Sequence, residues 1–461
     1  MNHKKHTVII GGGITGLSAA YYLNKETKDM DITLIEASEV LGGKIQSVQK
    51  DGFTFERGPD SFLERKQSVQ ELAKELGIDD QLVRNATGQS YILSQDRLHP
   101  IPKGSVMGVP TEWKPFFSSS LFTFGGKLAA LKDLSTAKMD ADEDVSVGHF
   151  FRRRLGDQVV DRLIHPLISG IYSGDIDKLS LKATFPHFLT VEQKQGSLTK
   201  GLRPPKSAQT KTGKRKGQFL TFKNGLKTLI NALEKELEKE INILKETEVN
   251  HIEKSADKYS IVVNGKEEKV EADYIIMTTP YHATKKIFSQ YDFMHDFLQE
   301  KNTSVANVVL AFEEDAMEQL PDGTGFVVSR KDRYRITACT WTHKKWPHST
   351  PDGNLLIRAY VGKPGDEAVL ELSDDEIEAV VLEDLQTILP IEKPPLFKIV
   401  TRWYDAMPQY TVGHVERLNE LNEKMDKYLP GVILAGNSYR GVGLPDCVNQ
   451  AKEAVNKIVA G

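Results

Sequence analysis

Cysteine is scarce in this chain. Only Cys339 and Cys447 occur among 461 residues, which excludes a disulfide framework and fits a reducing compartment. No stretch of about 18 apolar residues is present, so no membrane-spanning helix is expected; at most a peripheral contact is left. Charge of one sign is not in excess: the formal net charge is -4, which argues against nucleic acid as a partner. No Cys/His group has metal-ligand spacing, so no metal is expected. No Ser-His-Asp or Cys-His arrangement stands out either. His165, His282 and His343 read as single structural histidines, and no catalytic residue is assigned. Met1–His6 is basic, but Val8–Ile10 runs straight into glycines, which does not read as a secretory signal. The expected location is cytoplasmic, with peripheral contact at the inner face of the membrane left open.

What is there is ordinary for a globular protein: 39% hydrophobic and 27% charged residues. The length calls for two or more domains. Thr7–Ile10 is a β-branched run, followed by six residues that include four glycines, then a helix-like stretch from Leu17 and a second strand at Asp31–Ile35. This is the order of a βαβ unit. Val69–Leu76 reads as an amphipathic helix stopped by Gly77, and Tyr91–Leu93 with Arg97–Ile101 as a hairpin around Gln95-Asp96. Trp113 to about Ile171 is mostly helical in pattern, and its aromatic clusters read as core. Glu192–Gly217 is rich in lysine and arginine and reads as a mobile basic loop. Gly225–Ile241 is a helix pattern, followed by short strands that end at Asp273–Met277. A strand-rich stretch runs from Ser304 to Val361, Asp374–Ile388 is helical, and Val432–Ala435 and Val448–Val459 return to strand and helix. The fold class expected is α/β. A discontinuous Rossmann-like nucleotide domain covers 1–85, 218–295 and 400–461. An inserted α+β domain covers 86–105 and 296–399, and a helical subdomain covers 106–217.

The glycines at 11, 13 and 16 form G-x-G-x-x-G within Gly11-Gly12-Gly13-Ile14-Thr15-Gly16. Gly11 permits the tight turn, Gly13 lets backbone approach a pyrophosphate, and Gly16 lets helix pack on strand. The helix N-terminus then offers free N–H groups to the phosphates. Glu36, followed by Ala37, ends the second strand. A carboxylate there accepts hydrogen bonds from ribose hydroxyls and would repel a 2′-phosphate. The spacing alone leaves both NAD and FAD open.

The next motifs separate the two. Leu41-Gly42-Gly43-Lys44-Ile45-Gln46-Ser47 resembles the second glycine motif of the amine oxidase and protoporphyrinogen oxidase superfamily, with Lys44 where arginine is usual. A lysine supplies a point charge to phosphate without the bidentate fork. The passages FERGPDSFLERK, ISGIYSGDIDKLS, ITACTWTHKKWPH, MPQYTVGH and YRGVGLPDC are similar to oxygen-dependent coproporphyrinogen and protoporphyrinogen oxidases. The resemblance runs nearly end to end, and GPDSFLERK points to the Gram-positive branch that acts on coproporphyrinogen III.

That resemblance implies FAD as cofactor, with Gly58, Pro59, Asp60 and Ser61 passing the flavin ring and Val249 holding the adenine through backbone groups. It places Asn437, where Gly-Asp is common, and Val442, Gly443 and Leu444 at the flavin, and brings Trp403 back toward the cofactor. The N–H groups that open the last helix would stabilise negative charge on a reduced flavin. It implies a six-electron oxidation of a porphyrinogen with molecular oxygen as acceptor and hydrogen peroxide as product, in haem biosynthesis. A substrate with four propionates calls for cations, with Arg65, Lys66, Arg97, Lys103 and Arg153 as candidates; Lys66 comes first, Arg97 next, and Ile171 is expected to line the pocket. Ferrochelatase, as the next enzyme, or anionic lipid would be partners for the basic loop if it is more than a solvated segment. Two rival readings are a flavin oxidase of amines or carotenoids, which would need an aromatic cage, and a non-enzymatic escort or dissociation-inhibitor protein, which would not need flavin motifs at both ends of the chain.

Overall fold

A computed structural model describes residues 4–203, 217–265, 269–297, 302–317, 320–329 and 331–460. The chain divides into two compact units. The first comprises 1–83, 218–299 and 415–461, and the second 84–217 and 300–414.

A five-stranded parallel sheet forms the first unit's frame, in the order Asn242–Leu244, Met30–Ile35, Lys5–Ile10, Tyr274–Met277, Val432–Leu434. Its strands are nearly continuous apolar runs because both faces are covered. Alternation divides them between two cores. Ile9, Leu34 and Ile276 face one core with the helices Ile14–Glu26, Lys227–Leu237 and Leu444–Ala460. Val8, Ile10, Ile275 and Met277 face the other, with the antiparallel strands Val249–Ser255 and Lys258–Val263 and the helix His414–Tyr428. The predicted helix at Val69–Leu76 spans Ser68–Glu75, with Gly77 in the left-handed region just beyond it. Glu56 is buried and receives the Leu226 N–H at 2.7 Å and the Ser47 hydroxyl at 2.8 Å. It thereby satisfies donors at the entry of the Lys227–Leu237 helix.

The second unit is built on a seven-stranded sheet: Phe397–Met407, Thr303–Glu313, Asn354–Val361, Ile336–Trp341, Gly325–Val328, Tyr91–Ser94 and Arg97–Pro100. Only the Gly325–Val328 and Tyr91–Ser94 pair is parallel. The hairpin at Tyr91–Pro100 turns through Gln95 and Asp96, both at positive φ (53° and 59°), the backbone twist that two-residue hairpin turns prefer. Asp374–Ile388 begins with a capping box between Ser373 and Glu376 and lays Ile377, Val381 and Leu385 on one face of the sheet.

Three sequence expectations are corrected here. Residues 400–414 belong to the second unit, because Phe397–Met407 pairs with Thr303–Glu313 along its length. The helical stretch and the strand-rich stretch form one unit rather than two. The supposed basic loop opens with structure: Pro186–Gln195 and Leu198–Gly201 are helices. Glu192 is fully buried at an ion-paired Arg154, 2.5 Å away, and Arg154 also meets Asp133 at 2.9 Å; all three side chains have 0% exposure. The remainder of that loop, 204–216, lies outside the described residues. Among the aromatics from Trp113 to Phe124, Phe116 and Phe122 are buried with ring centroids 4.9 Å apart in a tilted contact, whereas Phe124 is exposed.

Candidate functional site: a dinucleotide cradle

The first strand ends at Ile10 and the chain turns sharply at Gly11, whose φ of +109° suits glycine. Thr278, at the end of the Tyr274–Met277 strand, fastens this turn: its hydroxyl donates to Ile10 O and Gly11 O at 3.0 and 2.9 Å. A Cβ on Gly16 would lie 1.9 Å from the Gly11 carbonyl oxygen, so helix and turn touch only because both are glycine there. Gly13 differs. A Cβ on it would meet nothing within 4 Å. Gly13 is the N-cap of the Ile14–Glu26 helix, so this open space borders the helix N-terminus, where anions are favoured.

Glu36 sits beside this opening. Its carboxylate receives the Gly12 N–H at 2.6 Å and the Ser38 N–H at 2.8 Å. A carboxylate has lone pairs beyond those two bonds, so it retains acceptor capacity for ribose hydroxyls. The backbone of 244–247 is laced to the same strand end: Glu36 N–H donates to Leu244 O and Thr247 N–H to Glu36 O, both at 2.9 Å. This leads directly into Val249, buried at the start of its strand. Gly42 N–H donates to Gly12 O at 2.9 Å, and a Cβ on Gly43 would come within 3.4 Å of Gly13 Cα. The second glycine motif is thus packed on the first. Lys44 is half-buried there, and burial lowers its pKa to about 8. A buried ammonium of that kind gains from an anionic partner.

The C-terminal segment closes the cradle. Gly436, at φ +115°, approaches Thr15 and Thr278, and its N–H donates to Gln450 Oε1 at 3.1 Å. Ala435 lies in the adjoining core, and Asn437 follows. Gly441-Val442-Gly443 then turns into the 17-residue helix Leu444–Ala460. Cys447 in its first turn is hydrogen-bonded with Thr15, and burial pushes its thiol up to about 11, so it behaves as packing rather than as a nucleophile. Gly58, Pro59, Asp60 and Ser61 are half-buried in the loop after strand Phe53–Glu56, where the Ser61 hydroxyl donates to Asp60 Oδ1 at 2.7 Å.

The first unit therefore gathers Gly11–Gly16, Glu36 with Ala37, Gly43, Lys44, Val249 and Asn437–Leu444 around one sheet end. The loop Gly58–Ser61 belongs to the same unit. Trp403 lies in the second unit, on the Phe397–Met407 strand. Of the expected substrate groups, Lys66 is engaged inside the first unit, its Nζ 2.6 Å from each carboxylate oxygen of Asp446. Arg97 is exposed at the hairpin turn of the second unit, the setting of a solvated cation. Ile171 is partly exposed on the helix His165–Tyr172. Arg153, another candidate cation, is taken up by Glu192 and Ala137 O. Thr278, Gln450 and Asp446 were missed by the sequence reading. Thr278 carried a signal, since it follows directly on a predicted core strand of the sheet.

Among the described residues no group of three or more His, Cys, Asp or Glu could hold a metal, and no helix is long and apolar enough to cross a membrane.

A parallel sheet with a glycine turn leading into a helix, an acid at the end of the next strand and two further glycine turns is the frame of a dinucleotide-binding fold. The family model described as flavin containing amine oxidoreductase matches residues 14–459, and the chain belongs to that family: it is an FAD-dependent oxidoreductase. More particularly, it is 50% identical to the coproporphyrinogen III oxidase of Bacillus subtilis (strain 168), over 98% of this chain and 97% of that protein. It is 45% identical to the coproporphyrinogen III oxidase of Staphylococcus aureus (strain NCTC 8325 / PS 47), over 99% of both. A crystal structure from Exiguobacterium sp. 255-15 superposes with a TM-score of 0.88 at 40% identity, covering 99% of each chain.

Proposed function

We propose that this protein oxidises coproporphyrinogen III to coproporphyrin III, removing six electrons in three two-electron steps. Each step reduces one dioxygen to hydrogen peroxide, so three dioxygens give three peroxides. The observation that carries the reading is the near end-to-end identity with the Bacillus subtilis enzyme of that name. Bound FAD supplies the hydride acceptor.

The chain's own residues would work as follows. Gly13 and the N–H groups at the start of Ile14–Glu26 receive the pyrophosphate, with Lys44 adding a neutralising charge. Glu36 accepts from the ribose, and backbone near Val249 borders the adenine. Gly58–Ser61 and Asn437–Leu444 hold the flavin end. Ile171 is retained as a contact for the flat macrocycle and Arg97 as a distant carboxylate partner. Peripheral contact with the inner face of a membrane, and with ferrochelatase as the next enzyme, belongs to this same reading.

The purified protein is expected to be yellow. It should convert non-fluorescent coproporphyrinogen III to its fluorescent porphyrin with peroxide released, faster than it converts protoporphyrinogen IX. A colourless protein, or a yellow one silent on both porphyrinogens, overturns the reading.

A further inference from the structure

The N-terminus of Leu444–Ala460 carries a charge arrangement that flavin holding alone does not require. A long helix presents roughly half a positive charge at its first turn. Asp446 stands in that turn, and its carboxylate is folded back over the approach. A Cβ placed on Gly441 would lie 2.8 Å from Asp446 Cγ, and one on Gly443 would lie 2.9 Å from its Oδ2. An uncompensated carboxylate in this place would satisfy the helix end itself and repel any anion brought to the same N–H groups.

Lys66 removes that conflict. Its Nζ is 2.6 Å from both Oδ1 and Oδ2 of Asp446, a symmetrical contact between residues 380 positions apart in sequence. The same two segments are joined again where the Ser68 hydroxyl donates to Pro445 O at 2.8 Å, in a buried contact. Lys66 is thus held against the helix end from two neighbouring points. With two of its three N–H groups on Asp446, Lys66 has only one donor left for any other carboxylate, and its charge is already shared.

We propose that Lys66 is a positioning residue that cancels the Asp446 charge and so keeps the positive end of the last helix available to the reduced flavin, rather than a clamp for a substrate propionate. This rests on the reading that FAD occupies the cradle with its flavin end at Asn437–Leu444. The prediction concerns the flavin's affinity for negative charge, which can be measured without turnover.

The test uses the FAD-loaded full chain. Sulfite adds to an oxidised flavin and leaves it negatively charged, so its Kd reports the local potential, and the midpoint potential of the bound flavin reports the same property. Lys66→Met should weaken sulfite binding about tenfold and lower the midpoint potential correspondingly, about 30 mV for a two-electron couple. Asp446→Asn should shift both the opposite way, and the double variant should return to within about threefold of the parent. If Lys66→Met leaves sulfite Kd and potential unchanged while raising KM for coproporphyrinogen III, Lys66 is a substrate clamp and the proposal fails. Should Lys66→Met not retain flavin, Asp446→Asn decides alone, and an unchanged sulfite Kd in that variant overturns the proposal. A yellow protein inactive on porphyrinogens would defeat the functional reading while leaving this comparison intact.

Discussion

Gly13→Ala is expected to separate cofactor binding from folding. At this position φ is -75° and ψ is -178°, extended backbone that alanine adopts without strain. The added methyl meets nothing in the protein within 4 Å. In the FAD-free protein two small effects oppose each other. Fewer unfolded conformations stabilise by about 0.4–1 kcal/mol, and alanine is a poorer helix N-cap than glycine by an amount of similar size. Thermal unfolding of the flavin-stripped variant should therefore stay within a few degrees of the parent. Binding should suffer, because the methyl stands where the diphosphate must approach the helix N–H groups. Losing one hydrogen bond to a charged group costs about 1.5–3 kcal/mol, or about 10- to 150-fold in Kd. Titration of the stripped protein with FAD, followed by flavin fluorescence, measures this. Gly16→Ala is the contrast: its methyl would sit 1.9 Å from Gly11 O and 2.9 Å from Thr278 Oγ1. Stability and binding should then fall together, since the helix must move off the turn. If Gly13→Ala binds FAD as tightly as the parent, the opening at Gly13 is not the diphosphate site.

Three further outcomes follow from charges inside the units. Burial lowers the Lys44 ammonium to about 8 in the protein without FAD, and a diphosphate beside it would raise that value; FAD affinity should then be flat below about pH 8 and weaken as pH rises above it, with proton uptake on binding detectable near pH 8.5 by calorimetry in buffers of different ionisation heat. A Lys44→Met variant that keeps this pH dependence would assign it elsewhere. In the second unit, Arg154→Met leaves the buried Asp133 carboxylate without its guanidinium and Glu192 with Arg153 as its remaining one, and should cost about 3–5 kcal/mol in urea unfolding. For Asp133, burial alone would raise its pKa, but donors from Ser197, Thr199 and Leu198 outweigh it and hold it below the ordinary value. Its contribution is therefore present above the unfolded carboxylate range and is lost as pH falls through the depressed value. Ser197→Ala should make that acid loss begin at higher pH, and an unchanged acid limb would refute the assignment.

Features encoded within a few residues of one another were legible in the sequence. Gly11–Gly16 and Glu36 were readable because the turn, the helix start and the strand end are local events. Asp374–Ile388 was readable to the residue, because Ser373 and Glu376 mark its start and the apolar period marks its inner face. What escaped depends on distant partners. Glu192 looked like part of a solvated basic stretch, since nothing near it announces Arg154, 38 positions earlier. Trp403 was assigned to the cofactor unit because the strand that claims it, Thr303–Glu313, lies about a hundred residues upstream. Lys66 was read as the first-choice cation for a substrate propionate, and its pairing with Asp446 is invisible from its neighbourhood in the sequence.

The tie between Lys66 and Asp446 also bears on how the protein is made. The two residues are separated by 380 positions, and a ribosome adding about 5–20 residues per second needs about 20–80 s to go from one to the other. Throughout that interval the glycine turn and its first helix exist without the closing strand Val432–Leu434 and the helix end at Leu444. With the flavin end held at Asn437–Leu444 as proposed, cofactor capture would be a late event in the life of each chain. Any cellular supply of FAD must meet a nearly finished polypeptide, and a chain halted before residue 432 would emerge colourless whatever the quality of its first fifteen residues.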